Sequence, residues 1–263
     1  MKAYKHLVIF VVVVFAMQAN AQGVQVNNGF KVNTDKINST VVTDKVTMGN
    51  RFIIDSSADG KERQFPFVYK FGKNIFVSYS EHIDKVVGSP EDAMIISRDN
   101  GKSWKEKLTK KDFYITSMFK KKGVLYGVVY FTYPVSPTEE RMVYWTSNNN
   151  GKTWSKKEGI VKAPKGKQFK PDGTNNIWGS MLFHRGMTVM KDGSIQGVMY
   201  GHFAGDRLYS CVWVKSIDNC ATWQVVSVIA TGKPKDESAK AEGYCEPSFA
   251  ISKDGSILCV MRI

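Results

Sequence analysis

The 263-residue sequence predicts an all-β chain of four-stranded sheets arranged as the blades of a β-propeller. Three observations lead there: a turn motif that occurs three times, a strand motif that occurs four times, and a nearly constant offset between the two.

The turn motif is SRDNGKSW at 97–104, SNNNGKTW at 147–154 and SIDNCATW at 216–223. Each reads Ser, any residue, Asp or Asn, any residue, usually Gly, any residue, Ser or Thr, then Trp. An Asp or Asn side chain folds back onto turn amides, and Gly supplies a positive φ, which is the chemistry of a hairpin turn. The Trp opens the following strand and is placed to pack back over the turn. Three copies of so specific a pattern are not chance.

The strand motif is KFGKNIFVSY, KKGVLYGVVY, KDGSIQGVMY and KDGSILCVMR, with its turn glycine at 72, 123, 193 and 255. The strand after each glycine is apolar on both faces, as expected of strands covered on both sides by neighbouring sheets. Gly72 precedes Ser97 by 25 residues, Gly123 precedes Ser147 by 24, and Gly193 precedes Ser216 by 23. One unit is therefore strand, glycine turn, buried strand, loop, third strand, Asp/Asn turn and fourth strand. A helical solenoid is excluded by the missing 3.6-residue period, and a two-sheet sandwich explains the coupled spacing poorly.

By the same spacing, the next turn motif would fall about 24 residues after Gly255, past Ile263. The expectation is a truncated ring with about four blades present, its last one cut within the second strand, since a half blade leaves open edges. Residues 22–50 lack the unit and are expected to be an N-terminal segment that supplies an outer strand to the last blade. The propeller itself is placed at 51–263.

Lys2 and Lys5 precede the apolar run 7–17, and Ala19 and Ala21 sit at −3 and −1 of a cleavage point after Ala21. Residues 1–21 thus read as a secretory signal peptide. The run is shorter than the roughly 20 residues that cross a bilayer. Export, to the medium or the periplasm, is expected, with no membrane span in the mature chain. Removing the two leader lysines takes the net charge from +13 to +11. That balance suits anionic partners, but the lysines (Lys105, Lys107, Lys110, Lys111, Lys120 to Lys122) are scattered through turns and exposed strands. No nucleic-acid motif accompanies them, so nucleic acid is not an expected partner. Cys211, Cys220, Cys245 and Cys259 fit no zinc spacing and are expected to be packed free thiols, although export permits disulfides.

The turn motifs are Asp boxes. With the blade length and the export signal, they resemble the sialidase (neuraminidase) superfamily over roughly residues 51–263, which implies a six-bladed ring of sialidase type. Asp boxes are structural and carry no activity, so site residues must decide function. In that family a Glu on the inner strand of the fourth blade is followed, across one hairpin, by an Arg. GYCEPSFAISKDGSILCVMR (243–262) places Glu246 and Arg262 in that relation. The resemblance implies that Glu246 polarises a nucleophilic Tyr and that Arg262 binds the substrate carboxylate. The alternative is an ion pair at the propeller channel, since a charge ending an apolar strand needs a partner or a cavity.

The family's first arginine stands two residues before a Pro. Arg63-Gln64-Phe65-Pro66 has one residue more, making Arg63 the candidate, with Arg51 behind it and a solvated strand end as the alternative. The acid/base Asp is expected in the loop at 80–94, where Asp84 is preferred over Asp92, with Glu81 and His82 nearby. HRGMTVMKDGS (184–194) resembles the pocket-lining inner strand of the third blade and offers His184 and Arg185 to a ligand. Tyr130, Tyr200 and His202 end strands, where aromatics form a sugar platform or pack the rim. The histidines lack metal-ligand spacing, so neither a metal nor a cofactor is expected.

The chemistry implied by the resemblance explains these residue types. Sialic acid carries a carboxylate on its anomeric carbon, which arginines hold bidentately. A carboxylate nucleophile would be repelled there, whereas a Glu-activated Tyr is not, and an Asp protonates the leaving oxygen. The Tyr and the third Arg fall to blades past Ile263, so these 263 residues alone are expected to be inactive. The expected function is an exported, retaining sialidase-like glycoside hydrolase acting on sialylated glycans or other acidic carbohydrate. The rivals are a non-catalytic propeller that binds glycans or proteins, and a propeller polysaccharide lyase.

Overall fold

The structure, a computed structural model, describes residues 53–55, 60–82, 91–170, 180–232 and 242–263. The signal peptide, the 22–50 segment, Arg51 and Asp84 lie outside these residues. Every regular element among those described is a β-strand, and no described helix is long and apolar enough to cross a membrane. Two compact units divide at Lys110/Lys111.

The first unit is one sheet of four strands in chain order: β1 (Gln64–Phe71), β2 (Asn74–Ser80), β3 (Glu91–Ser97) and β4 (Glu106–Lys111). Strand β2 is buried from Phe76 to Ser80, as its two-sided apolar pattern requires. Val77, Tyr79, Ala93, Ile95 and Trp104 form the core on one face of the sheet.

The second unit repeats this plan. Strands β5 (Ile115–Lys121), β6 (Val124–Ser136), β7 (Glu139–Ser147) and β8 (Ser155–Lys162) form one antiparallel run. Strands β9 (Met181–Val189), β10 (Ile195–Gly201), β11 (Ser210–Ser216) and β12 (Thr222–Ala230) form a second. Strands β13 (Cys245–Ile251) and β14 (Ile257–Arg262) form a hairpin. The repeat unit read from the sequence is therefore present in three four-stranded runs.

The sequence did not indicate that two of these runs join. Strand β12 pairs in parallel with β8 from Thr222↔Ile160 to Gln224↔Lys162, and Phe131 of β6 pairs with Leu182 of β9. Hydrogen bonding thus closes a ring of seven strands, β6 to β12, with β5 as an extra strand. Gly159 permits the closure. A Cβ there would lie 2.2 Å from the Cys220 carbonyl oxygen, and the next residue, Ile160, donates its N–H to Ala221 O at 2.9 Å. Trp223, fully buried, fills the core between the runs, with its ring 5.4 Å from Phe183 and with Met142, Met181 and Val212 in the same cluster.

The three Asp/Asn turns share one hydrogen-bond scheme. The Ser hydroxyl of each turn accepts the N–H four residues on: Gly101 at 2.8 Å, Gly151 at 2.8 Å and Cys220 at 3.0 Å. The same hydroxyl donates to the Asp or Asn carbonyl-type oxygen, which accepts the N–H of Ser103, Thr153 or Thr222. Trp104 and Trp154 donate their indole N–H back to Gly101 O and Gly151 O. In the third turn Cys220 takes the glycine position, at φ 75, and its residue type departs from the pattern. All four cysteines are free and buried.

A bulge interrupts the first strand of every repeat. It lies between Gln64 and Phe67 in β1, Ile115 and Ser117 in β5, His184 and Met187 in β9, and Cys245 and Ser248 in β13. Three of the bulges hold a left-handed residue: Phe65 at φ 50, Gly186 at φ 106 and Glu246 at φ 50. A bulge strands one backbone donor. Where the left-handed residue is not glycine, a proline follows (Pro66, Pro247), and it has no N–H to strand.

Candidate active site

The candidate site of the second unit is built on the β13 bulge. Register pairs Cys245, not Glu246, with Arg262. The left-handed turn at Glu246 swings its carboxylate to the guanidinium, with Oε1 3.1 Å from Arg262 Nη2. Arg262 Nη1 holds a second carboxylate, Glu242 Oε2, at 2.8 Å. The Arg262 side chain is 51% exposed and Glu246 39%, so the pair faces solvent or a ligand.

Buried aromatic groups stand behind the pair. The residue seven positions after each turn glycine is Tyr79, Tyr130, Tyr200 and Arg262 in turn. The phenols of Tyr130 and Tyr200 hydrogen-bond to one another. Burial pushes both pKa values above the ordinary phenol range; Tyr130 adds to the rise at Tyr200, and the Glu246 charge adds a smaller part at each, so both stay protonated. His184 of β9 packs its ring 6.1 Å from Tyr130 and 5.6 Å from Tyr200, and its Nδ1–H donates to the Pro247 carbonyl at 3.1 Å. Burial, aided by the charges of Arg185 and Arg262, lowers the His184 pKa to about 4, against the pull of the Pro247 carbonyl. The imidazole is therefore neutral at physiological pH. Tyr209 packs on Tyr200 at 5.3 Å and on His202 at 4.2 Å.

Arg185 sits in the β9 bulge, exposed, between His184 and Gly186. Glu246 and Arg262 are thus brought into contact, with Arg185 on the strand whose His184 grips their hairpin. Sequence reading missed Glu242, the second carboxylate on Arg262. Its only signal was an acid four residues before Glu246.

Arg63 belongs to the first unit, where carboxylates already engage it. Its Nε lies 2.9 Å from Asp55 Oδ2 and 3.4 Å from Glu81 Oε1, and Nη1 donates to Lys61 O at 3.0 Å. Lys107 of β4 reaches the same acids, at 2.6 Å to Glu81 and 3.0 Å to Asp55, and Tyr79 donates its hydroxyl to Asp55. Burial works to raise the Asp55 pKa, but hydrogen bonds from Tyr79, Lys107 and Arg63 outweigh it and lower the pKa. Glu81 is nearly inaccessible, and His82 Nε2 lies 3.3 Å from the buried Asp92. Nothing in the sequence signalled Asp55 or Lys107 as partners of Arg63.

Among the described residues, no group of three or more His, Cys, Asp or Glu side chains is placed to hold a metal ion.

Among the described residues the fold is all-β, with a closed ring of seven strands and extra strands. Its solved neighbours include an endo-arabinase from Bacteroides thetaiotaomicron, 11% identical over 81% of this chain and 75% of that one, TM-score 0.54. A protein of unknown function from Dyadobacter fermentans is 16% identical over 77% of this chain and 62% of that one, TM-score 0.52. Trypanosoma rangeli sialidase is 16% identical over 89% of this chain, TM-score 0.48, and the match spans only 38% of its length. No protein-family model and no curated protein matches the sequence.

Proposed function

We propose that this protein is an exported, sialidase-like glycoside hydrolase that releases terminal sialic acid from glycoconjugates with retention, built on a six-bladed ring. The observation that carries the reading is the Glu246–Arg262 contact, formed across one hairpin by the residues that the family motif pairs.

In this reading the half-exposed guanidinium of Arg262 exchanges its Glu242 contact for the substrate carboxylate, a bidentate partner of better geometry. Arg185 adds positive charge on the strand that contacts this hairpin, and Arg63 is proposed as a further substrate-binding arginine. Glu246 takes the proton of the nucleophilic tyrosine, and Asp84 protonates the leaving oxygen. Tyr130 and Tyr200 are bonded to one another, and this reading takes its nucleophile from neither.

A second reading, a glycan-binding propeller without turnover, draws support from Arg63, whose guanidinium is already paired with Asp55 and Glu81. Hydrolysis of a fluorogenic sialoside by the complete protein separates the two. Turnover that is lost in Glu246→Gln and Arg262→Ala, both still folded, supports the hydrolase. Saturable sialoside binding with no turnover supports the binding protein.

A further inference from the structure

We propose that His184 is a positioning residue for the Glu246–Arg262 pair, acting from the neighbouring four-stranded run through the Pro247 carbonyl. The inference rests on the hydrolase reading for its consequence, but not for its geometry.

Glu246 depends on outside support. It sits at φ 50, a left-handed region in which a Cβ crowds the following carbonyl oxygen. The β13–β14 ladder passes over it, pairing Cys245 with Arg262 and next Ser248 with Val260. Within the hairpin, Glu246 and Pro247 therefore have no register partner to fix their peptides. The Nδ1–H of His184 supplies a bond there from another strand, at 3.1 Å to Pro247 O.

His184 is suited to that work. It is buried, and Tyr130 and Tyr200 pack against its ring, which fixes the rotamer. The ring is neutral and a carbonyl can only accept, so the single ring proton resides on Nδ1 and the tautomer is fixed. A second contact holds the strands in the same relation. Gly186 leaves space for the Phe249 ring, which would lie 3.2 Å from any Cβ there, and Trp213 packs edge-on against Phe249 at 4.7 Å. Residues 184 to 186 thus meet β13 on both sides of the bulge, with the polar contact adjoining Glu246.

The resonance measurement uses the 263-residue chain labelled with 15N-arginine, and the kinetics use the complete protein. His184→Asn keeps an N–H donor one bond beyond Cγ, whereas His184→Leu removes it. The Arg262 side-chain resonance, assigned by its loss in Arg262→Lys, should keep its position in His184→Asn and shift or broaden in His184→Leu. With a fluorogenic sialoside, His184→Leu should lose about 10- to 100-fold in kcat with KM within roughly threefold of wild type, and His184→Asn should recover most of it. If His184→Leu does not fold, His184→Phe provides the donor-free ring for the same measurements. A folded, donor-free variant that keeps both the Arg262 resonance and kcat overturns the proposal. Equal loss in the donor-free and Asn variants also overturns it, because it assigns the ring a packing role alone. If the complete wild-type protein turns over no sialoside, the hydrolase reading fails, and the Arg262 resonance still decides the role of His184.

Discussion

The Glu246 carboxylate reaches Arg262 because the backbone at Glu246 is left-handed; the strand register alone would place Cys245 opposite the arginine. Charge and conformation are separable at this position. Glu246→Ala should destabilise the hairpin unit, since it keeps the strained φ and loses the ion pair. Glu246→Gly loses the same pair but relaxes the φ, and should melt above Glu246→Ala by the equivalent of about 1 kcal/mol. Thermal melts of the two variants side by side check this, and equal midpoints would contradict it.

The buried Ser147 hydroxyl is the hub of the second Asp/Asn turn, accepting the Gly151 N–H at 2.8 Å and donating to Asn149 at 2.9 Å. Ser147→Ala leaves the Gly151 N–H without its acceptor, at a cost of about 1–3 kcal/mol. Ser216→Ala should behave alike, because Cys220 N–H bonds Ser216 in the same way. Urea unfolding midpoints measure both effects.

Three turn aspartates set an acid limit. Asp99 is held at about 2, first by the Ser103 hydroxyl and then by the Ser103 N–H, and Asp192 and Asp254 are held at about 2 by Ser194 and by Ser252 with Ser256. Their folded pKa values lie below the ordinary value near 3.9. Their contribution to stability is therefore complete above about pH 4 and is lost as pH falls toward 2. Acid titration followed by tryptophan fluorescence should show a shallower decline in this window for Asp99→Asn than for wild type.

Glu140 should show the opposite dependence. Its carboxylate is buried and accepts from Ser180 N–H at 2.6 Å, Ser180 Oγ at 2.9 Å and Met181 N–H at 3.2 Å. The single proton of the Thr132 hydroxyl stands between two acceptors, Glu140 Oε2 at 2.6 Å and Met181 O at 2.5 Å. A proton on Glu140 resolves the shortage. Burial raises the Glu140 pKa, with the bonds from Thr132, Ser180 and Met181 pulling against it. The unfolded chain gives up this proton first, so its contribution is complete below the ordinary carboxylate range and declines as pH rises through the raised value. Glu140→Gln should remove that decline in pH-dependent urea titrations; an unchanged slope would exclude a retained proton.

What the sequence made legible follows how local each feature is. The three turns and the strand after each glycine were readable because their chemistry is complete within ten residues, from Ser97 to Trp104 or from Gly193 to Tyr200. Glu246 and Arg262 were readable as a pair because one short hairpin joins them. The left-handed state of Glu246 was not, although Pro247 beside it was a hint shared with Pro66. Arg63 was read without its partners because Asp55 and Lys107 come from separate elements, and only folding brings them together. The β8–β12 junction was likewise invisible, since the need for glycine at 159 exists only once the Cys220 turn lies against it.

That junction bears on how the second unit comes apart. A string of repeats touching only their sequence neighbours unravels piecemeal, each module with its own stability. Here residues about sixty positions apart, Ile160 and Thr222, share a ladder, and Phe131 meets Leu182 on the opposite side of the circuit. Opening either run therefore breaks bonds in both. The two runs should lose amide protection together, as a single cooperative block, and Gly159 is the small residue on which that shared fate depends.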